Sequence, residues 1–169
     1  MKASLLFGLL LVASPVGSSA PPPEEPFAQR TIGTVIDGWH AAAAAADEEK
    51  YFSSFTPDAV FLGTDATERW TRDEFRRFAH PYFAKGKAWT YKSTARWISF
   101  SPDHRVAWFD ELLENAHLGT CRGSGVLVRI GETWRIAQYN LSIPIPNDLA
   151  DDFTKRIAEH TTRKPAARP

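Results

Sequence analysis

From Lys87 to Ile143 the chain passes through four strand-like segments separated only by short breaks. Lys87–Phe100 is closed by Ser101-Pro102-Asp103, and Arg105–Asn115 follows. Gly119–Ile130 then turns at Gly131-Glu132 into Trp134–Ile143, which Pro144 and Pro146 end. Successive strands joined by tight turns pair antiparallel, because a parallel pair needs a crossover of about a dozen residues or more. A meander of this length does not stay flat. Gly123 and Gly125 interrupt its third strand, where bends and bulges form.

The segment before the meander reads as helical. Ile32, Val35, Ile36, Trp39 and Ala43 recur on one helical face, and Ala41–Ala46 supplies high helix propensity. The helix is expected from about Phe27. Tyr51, Phe52 and Phe55 predict a second short helical piece, Thr56-Pro57-Asp58 a turn, Val60–Leu62 a short strand and Gly63–Ala66 a loop. Thr71-Arg72-Asp73-Glu74 is a capping box, so a helix starts at Arg72 and carries Phe75, Phe78, Ala79, Tyr82 and Phe83. Pro81 should kink it and Gly86 end it. A last helix is expected over about Asp148–Glu159, capped by Asn147. The fold class that follows is α+β: a cone-shaped, curved antiparallel sheet with three packed helices and a C-terminal helix.

The N-terminus reads as an export signal. Lys2 precedes the apolar run Leu5–Ala13, and small or helix-breaking residues lead to Ala20. The run is shorter than the roughly 20 residues that cross a bilayer. The expected organisation is a signal peptide over 1–20, a proline-rich linker over 21–29, one domain over 30–146, a C-terminal helix over 147–160 and a disordered tail over 161–169. The mature protein is expected to be periplasmic or secreted, with no membrane span. Cys121 is the single cysteine, which leaves no internal disulfide and reads as a small buried apolar residue.

Composition narrows the partners. With 20 Lys+Arg against 20 Asp+Glu there is no basic field for nucleic acid or an anionic membrane. Six Trp, eleven Phe and four Tyr are more flat apolar surface than one thin core layer needs, which points to a cavity lined with rings. Nucleophile-elbow, P-loop and dinucleotide motifs are absent, and His80, His104, His117 and His160 lack metal-ligand spacing. No cofactor or metal is expected.

Four stretches carry a resemblance: FTPDAVFLGTDATERW (Phe55–Trp70), AWFDE (Ala107–Glu111), RGSGVLVR (Arg122–Arg129) and WRIAQYNLS (Trp134–Ser142). From about Thr31 to Pro146 the chain resembles the SnoaL-like branch of the nuclear transport factor 2-like superfamily. The resemblance implies a cystatin-like cone. It leaves function open, because the superfamily holds ketosteroid isomerase, polyketide cyclases, dehydratases and a kinase association domain. Many SnoaL-like relatives carry His where this chain has Gln138 and Asn140, which cannot titrate. Some carry a cavity-facing Arg where it has Gly125.

The candidate chemistry centres on Asp110, a mid-strand carboxylate sharing parity with Trp108 and Leu112. Burial there would raise its pKa and suit it to general acid–base work; pairing with a cross-strand Arg is the alternative. Glu111, of opposite parity, is expected to be exposed or paired. His40 could pair with Asp110 or simply pack beside the core. Asp65, Glu68 and Trp70 fall in the loop over the expected mouth, where Glu68 could face Asp110. Trp39, Tyr82, Trp97, Trp108, Trp134, Gln138 and Asn140 complete the expected ligand-binding set. Three functions remain open: binding a small apolar or amphipathic molecule, cofactor-independent isomerase, cyclase or dehydratase chemistry through Asp110, and dimeric assembly. A homodimer is expected through the outer sheet face, with Val126, Val128 and Tyr139 pointing outward.

Overall fold

The computed structural model of the protein describes residues 25–163. The expected signal segment, the start of the linker at 21–24 and the tail at 164–169 lie outside the described residues. Helix α1 (Glu25–Ala44) begins inside the segment expected to be linker. Pro26 is its second residue, in the first turn, where a missing backbone N–H costs nothing. Then come α2 (Glu48–Ser53), β1 (Phe55–Leu62), β2 (Arg69–Thr71) and α3 (Arg72–Ala84). The meander follows as β3 (Lys92–Phe100), β4 (Val106–Asn115), β5 (Gly119–Ile130) and β6 (Thr133–Ser142). A 3-10 turn, Asn147–Leu149, leads into α4 (Ala150–Arg163). Asn147 is therefore part of that turn rather than the cap of α4, and Thr161–Arg163 extend the helix into the expected tail.

The six strands form one curved, open sheet in the order β2-β1-β6-β5-β4-β3. The four meander strands pair antiparallel, as their short turns require. Strand β1 lies parallel to β6, a pairing made possible by the long α3–β3–β4–β5 connection between them. Thr56-Pro57-Asp58, expected as a turn, lies inside β1, whose pairing with β6 shifts register between Phe55 and Val60. The irregular stretch accommodates Pro57, which has no N–H for a ladder.

The capping box at α3 forms in full: the Thr71 side chain accepts from Glu74 N–H and the Glu74 carboxylate accepts from Thr71 N–H. Pro81 lies inside α3. Helices α1, α2 and α3 cover the inner face of the sheet. There Ile32, Ile36, Tyr51, Leu113, Leu127 and Ile136 are fully buried, with an aromatic layer of Phe52, Phe55, Phe75 and Phe83 beside them. Cys121 is buried on that face. Among the described residues no helix is long and apolar enough to cross a membrane.

Two register shifts decide which side chains meet the helices. Ser93 pairs with Leu113, but Ala95 pairs with Leu112, so a bulge lies between Ser93 and Ala95. It sends Trp97 to the outer face and Arg96 to the inner one, reversing the expected parity. In β6, Leu127 pairs with Ile136 but Val126 pairs with Gln138, leaving Ala137 as the extra residue. Trp134 and Ile136 point inward before it, and Tyr139 and Leu141 after it. Tyr139 is therefore buried, not outward, and Gln138 and Asn140 leave the inner face.

Candidate functional site

A cavity of about 150 Å³ opens between α1, α3 and the inner face of the sheet. The capped start of α3 places Phe75 and Phe78 on one wall, and β1 and β2 bring Phe61 and Trp70 against them. Their rings run nearly parallel. Phe61 stacks on Phe75 with centroids 3.8 Å apart at 16°, Trp70 on Phe75 at 14°, and Trp89 on Phe75 at 25°. The opposite wall is Trp39 and His40 of α1 with Tyr139 of β6. Gly63, Thr64 and Glu68 of the β1–β2 loop also line it. That loop is held by the Glu68 carboxylate, which accepts from Asp65 N–H at 3.2 Å. A Cβ on Gly63 would run into the Glu68 side chain, so glycine allows Glu68 its place.

A buried polar chain backs the cavity. His40 Nε2 lies 2.8 Å from Glu111 Oε1. The other carboxylate oxygen, Oε2, accepts from Arg96 Nη2 at 2.7 Å and Nε at 3.0 Å. The Tyr139 hydroxyl donates to Glu111 Oε1 at 3.4 Å. Arg96 continues to α1, donating to the Gly33 carbonyl at 3.3 Å and pairing with Asp37 at 2.9 Å. Glu111 is wholly buried. Burial alone would raise its pKa, but the hydrogen bond and charge of His40 and the Arg96 guanidinium outweigh it and hold the carboxyl below its ordinary value. An ionised carboxylate only accepts, so Nε2 carries the His40 hydrogen. Nδ1 is left without a protein partner among the described residues, on a side chain that lines the cavity. Burial and the neighbouring Glu111 charge push the Tyr139 hydroxyl well up, keeping it a donor.

Glycine makes this packing possible. A Cβ at Gly123 would collide with the Tyr139 hydroxyl and stand 3.0 Å from Glu111 Oε1. At Gly125 a Cβ would lie 2.6 Å from the Gln138 carbonyl oxygen and 2.8 Å from the Phe109 ring. The Arg that some relatives carry there has no room in this core.

Of the residues expected at the site, Trp39, His40, Glu68 and Trp70 line the cavity. The others do not. Asp110 is exposed on the outer face, between Trp97 of β3 and Ser124 of β5. It meets neither His40 nor Glu68, because the sheet separates them. Trp97 and Trp108 are exposed on that outer face, at 55% and 48%. Tyr82 is exposed on α3. Trp134 is buried but packs edge-on against Phe100, away from the cavity. Asp65 and Asn140 line a groove outside the mouth, with Phe153 of α4. Gln138 follows Asn140 outward.

The residues missed are Glu111, Arg96, Tyr139, Tyr51 and Trp89. For Glu111 the sequence held a signal. Its parity-mates Ala107, Phe109 and Leu113 are all apolar, whereas Asp110 shares its face with a second acid, Glu114. Arg96 and Tyr139 follow from bulges that no alternation pattern shows. Among the described residues no cluster of His, Cys, Asp and Glu could hold a metal ion.

Comparison with known proteins matches this arrangement. No curated protein matches the chain. Among solved structures, an NTF2-like protein of unknown function from Pseudomonas putida superposes with a TM-score of 0.62 at 12% identity, covering 73% of this chain and 91% of that one. An uncharacterised cystatin-like protein from Caulobacter vibrioides gives 0.61 at 19%, covering 77% and 99%. A candidate scytalone dehydratase from Novosphingobium aromaticivorans gives 0.60 at 11%, covering 72% and 87%. At such identities these likenesses establish the fold alone. The SnoaL-like domain family matches residues 32–146, well over half of the chain, and the protein belongs to that family.

Proposed function

We propose that the protein binds a small, largely apolar or amphipathic molecule in its inner cavity. The supporting observation is a space of about 150 Å³ walled by near-parallel aromatic rings, with a few polar groups among them, as in small-molecule sites generally. Saturation-transfer NMR against a library of small aromatic and aliphatic compounds tests it. Binders are expected, and Leu118→Trp, which fills the cavity, should abolish their signal. A library without a binder sensitive to that substitution overturns the reading.

One observation favours a second reading, proton transfer without a cofactor. His40, whose side chain lines the cavity, is held through Nε2 by an ionised carboxylate, and its Nδ1 has no protein partner among the described residues. A carboxylate that accepts from Nε2 fixes the tautomer and the orientation of the imidazole. The acid–base role expected of Asp110 then falls to His40, with Glu111 as its positioning residue. A candidate dehydratase shares the fold. Once a turned-over compound is in hand, His40→Gln should abolish turnover while binding persists. Turnover at the original rate refutes it.

Export and self-association complete the proposal. Cleavage of the N-terminal segment between about Ser19 and Pro23 is expected, as small-residue processing rules suggest. Mass spectrometry of protein from the native host reads the new N-terminus, and an intact Met1 refutes it. The outer sheet face, with Trp97, Trp108, Val126 and Val128, would form a homodimer. A candidate calcium/calmodulin-dependent protein kinase II association domain from Xanthomonas campestris has the same fold, with a TM-score of 0.54 at 19% identity, covering 80% of this chain and 94% of that one.

A further inference from the structure

The outer face of the sheet carries two opposite charges that the fold leaves open. Buried and exposed residues alternate along β4 and β5, which puts Asp110, Glu114 and Arg122 on that face. Lys92 stands across from Glu114, and Arg135 lies between the inward Trp134 and Ile136. Lys92 reaches Glu114 at 4.0 Å, and Arg135 donates to the Ser53 carbonyl. Asp110 and Arg122 are the pair left over: among the described residues neither side chain has an ion-pair or hydrogen-bond partner.

The two are also neighbours. Asp110 pairs with Ser124 and Leu112 pairs with Arg122, so Arg122 lies on the diagonal from Asp110. Closing that diagonal within one exposed face would gain at most about 1 kcal/mol, because water competes for both charges. The setting of Asp110 suits a stronger contact. Trp97 stands opposite it on β3, and Trp108 precedes it by two residues on the same face of β4. Both indoles are half exposed. A carboxylate takes two parallel N–H donors from a guanidinium, and indoles beside it can stack on the guanidinium plane.

The same face holds both halves of such a contact, once each and side by side. A two-fold axis in the plane of the interface, running between Asp110 and Arg122, sets each residue over the other in a second copy. Both contacts then form together, as an isologous interface requires. A different protein would have to present one anion and one cation at the same spacing. Trp and Arg are also the residues in which interface energy concentrates.

We propose that Arg122 of each copy seats on the partner subunit's Asp110, between Trp97 and Trp108, so that two reciprocal contacts hold a dimer. This rests on the self-association reading above and names the contact that fixes its geometry.

Charge reversal in the whole protein tests it. Sedimentation velocity at micromolar concentration should show a wild-type dimer. Asp110→Arg and Arg122→Asp, each alone, set like charges against each other twice and should raise the dimer dissociation constant about tenfold or more. Mixed in equal amounts, the two variants should form a heterodimer, because every contact again sets an Arg against an Asp. Both positions are exposed, so each variant should keep the wild-type circular dichroism. Arg122→Lys keeps the charge without the planar fork and should dimerise more weakly than wild type. A wild-type monomer overturns this contact and the self-association reading together. A wild-type dimer that both reversals leave intact overturns the contact alone. Reversals that separate the copies but do not recombine in the mixture overturn the pairing of Asp110 with Arg122. Undiminished dimerisation of Arg122→Lys overturns the part given to the guanidinium and the indoles.

Discussion

His40 and Glu111, 71 positions apart in the chain, meet at 2.8 Å in the buried space between α1 and the sheet. The contact joins α1, which forms one wall of the cavity, to strand β4 behind it. Arg96 makes the contact two-sided, since it holds the second Glu111 oxygen and reaches back to Gly33 and Asp37 on the same helix.

Removing the charge of Glu111 should therefore loosen α1. Glu111→Gln leaves Arg96 and His40 without their carboxylate in a desolvated place. Breaking a buried pair on one side costs on the order of 3–5 kcal/mol. Urea titration should show an unfolding free energy lowered by that amount. A loss below about 1 kcal/mol would mean that the network carries little of the fold's stability.

Acid should act through the same group. The folded protein holds the Glu111 carboxyl below its ordinary value of 4.5, so the folded state binds its proton more weakly than the unfolded state does. The stabilisation is fully present above the unfolded value and disappears as pH falls through the lowered folded value. Stability measured from pH 7 downward should stay level with respect to this group until about pH 5, then decline. The decline should be shallower in Glu111→Gln; equal slopes would remove Glu111 from the acid transition.

Gly123→Ala should be destabilising although it adds only a methyl group. That methyl has no space beside the Tyr139 hydroxyl and the Glu111 carboxylate. Overpacking of this kind costs typically 1–3 kcal/mol. Adding Tyr139→Phe should recover part of the loss, because the hydroxyl is the nearest obstacle. Thermal melts of the single and double variants measure the coupling, and strict additivity would dismiss the clash.

On the outer face, Trp97 and Trp108 each expose about half their surface. If that face joins two copies, Trp108→Lys should convert a dimer to a monomer in sedimentation velocity at micromolar concentration. The core behind it should be unaffected, since Ala107 and Phe109 carry the inward packing of β4. A wild-type protein that sediments as a monomer would exclude the interface.

The order of the helices and of the meander strands, the capping box of α3 and the family could all be read from the chain alone, whereas strand β2 and the course of β1 through Thr56-Pro57-Asp58 could not. Each feature that could be read depends on local chemistry or on spacing. Turn residues force neighbouring strands together, and a Thr–Glu pair closes its own cap. His40, Trp39, Glu68 and Trp70 were also legible, because a helical face and a loop after a short strand place them without reference to distant partners. The faces of β3 and β6 were not. One extra residue at each bulge, between Ser93 and Ala95 and at Ala137, reverses every side chain beyond it, and alternation in sequence cannot show where a ladder slips. The choice between Asp110 and Glu111 was likewise tertiary. A strand presents neighbouring acids to opposite faces, and only the arrival of Arg96 and His40 on one of those faces makes burial of a carboxylate affordable there.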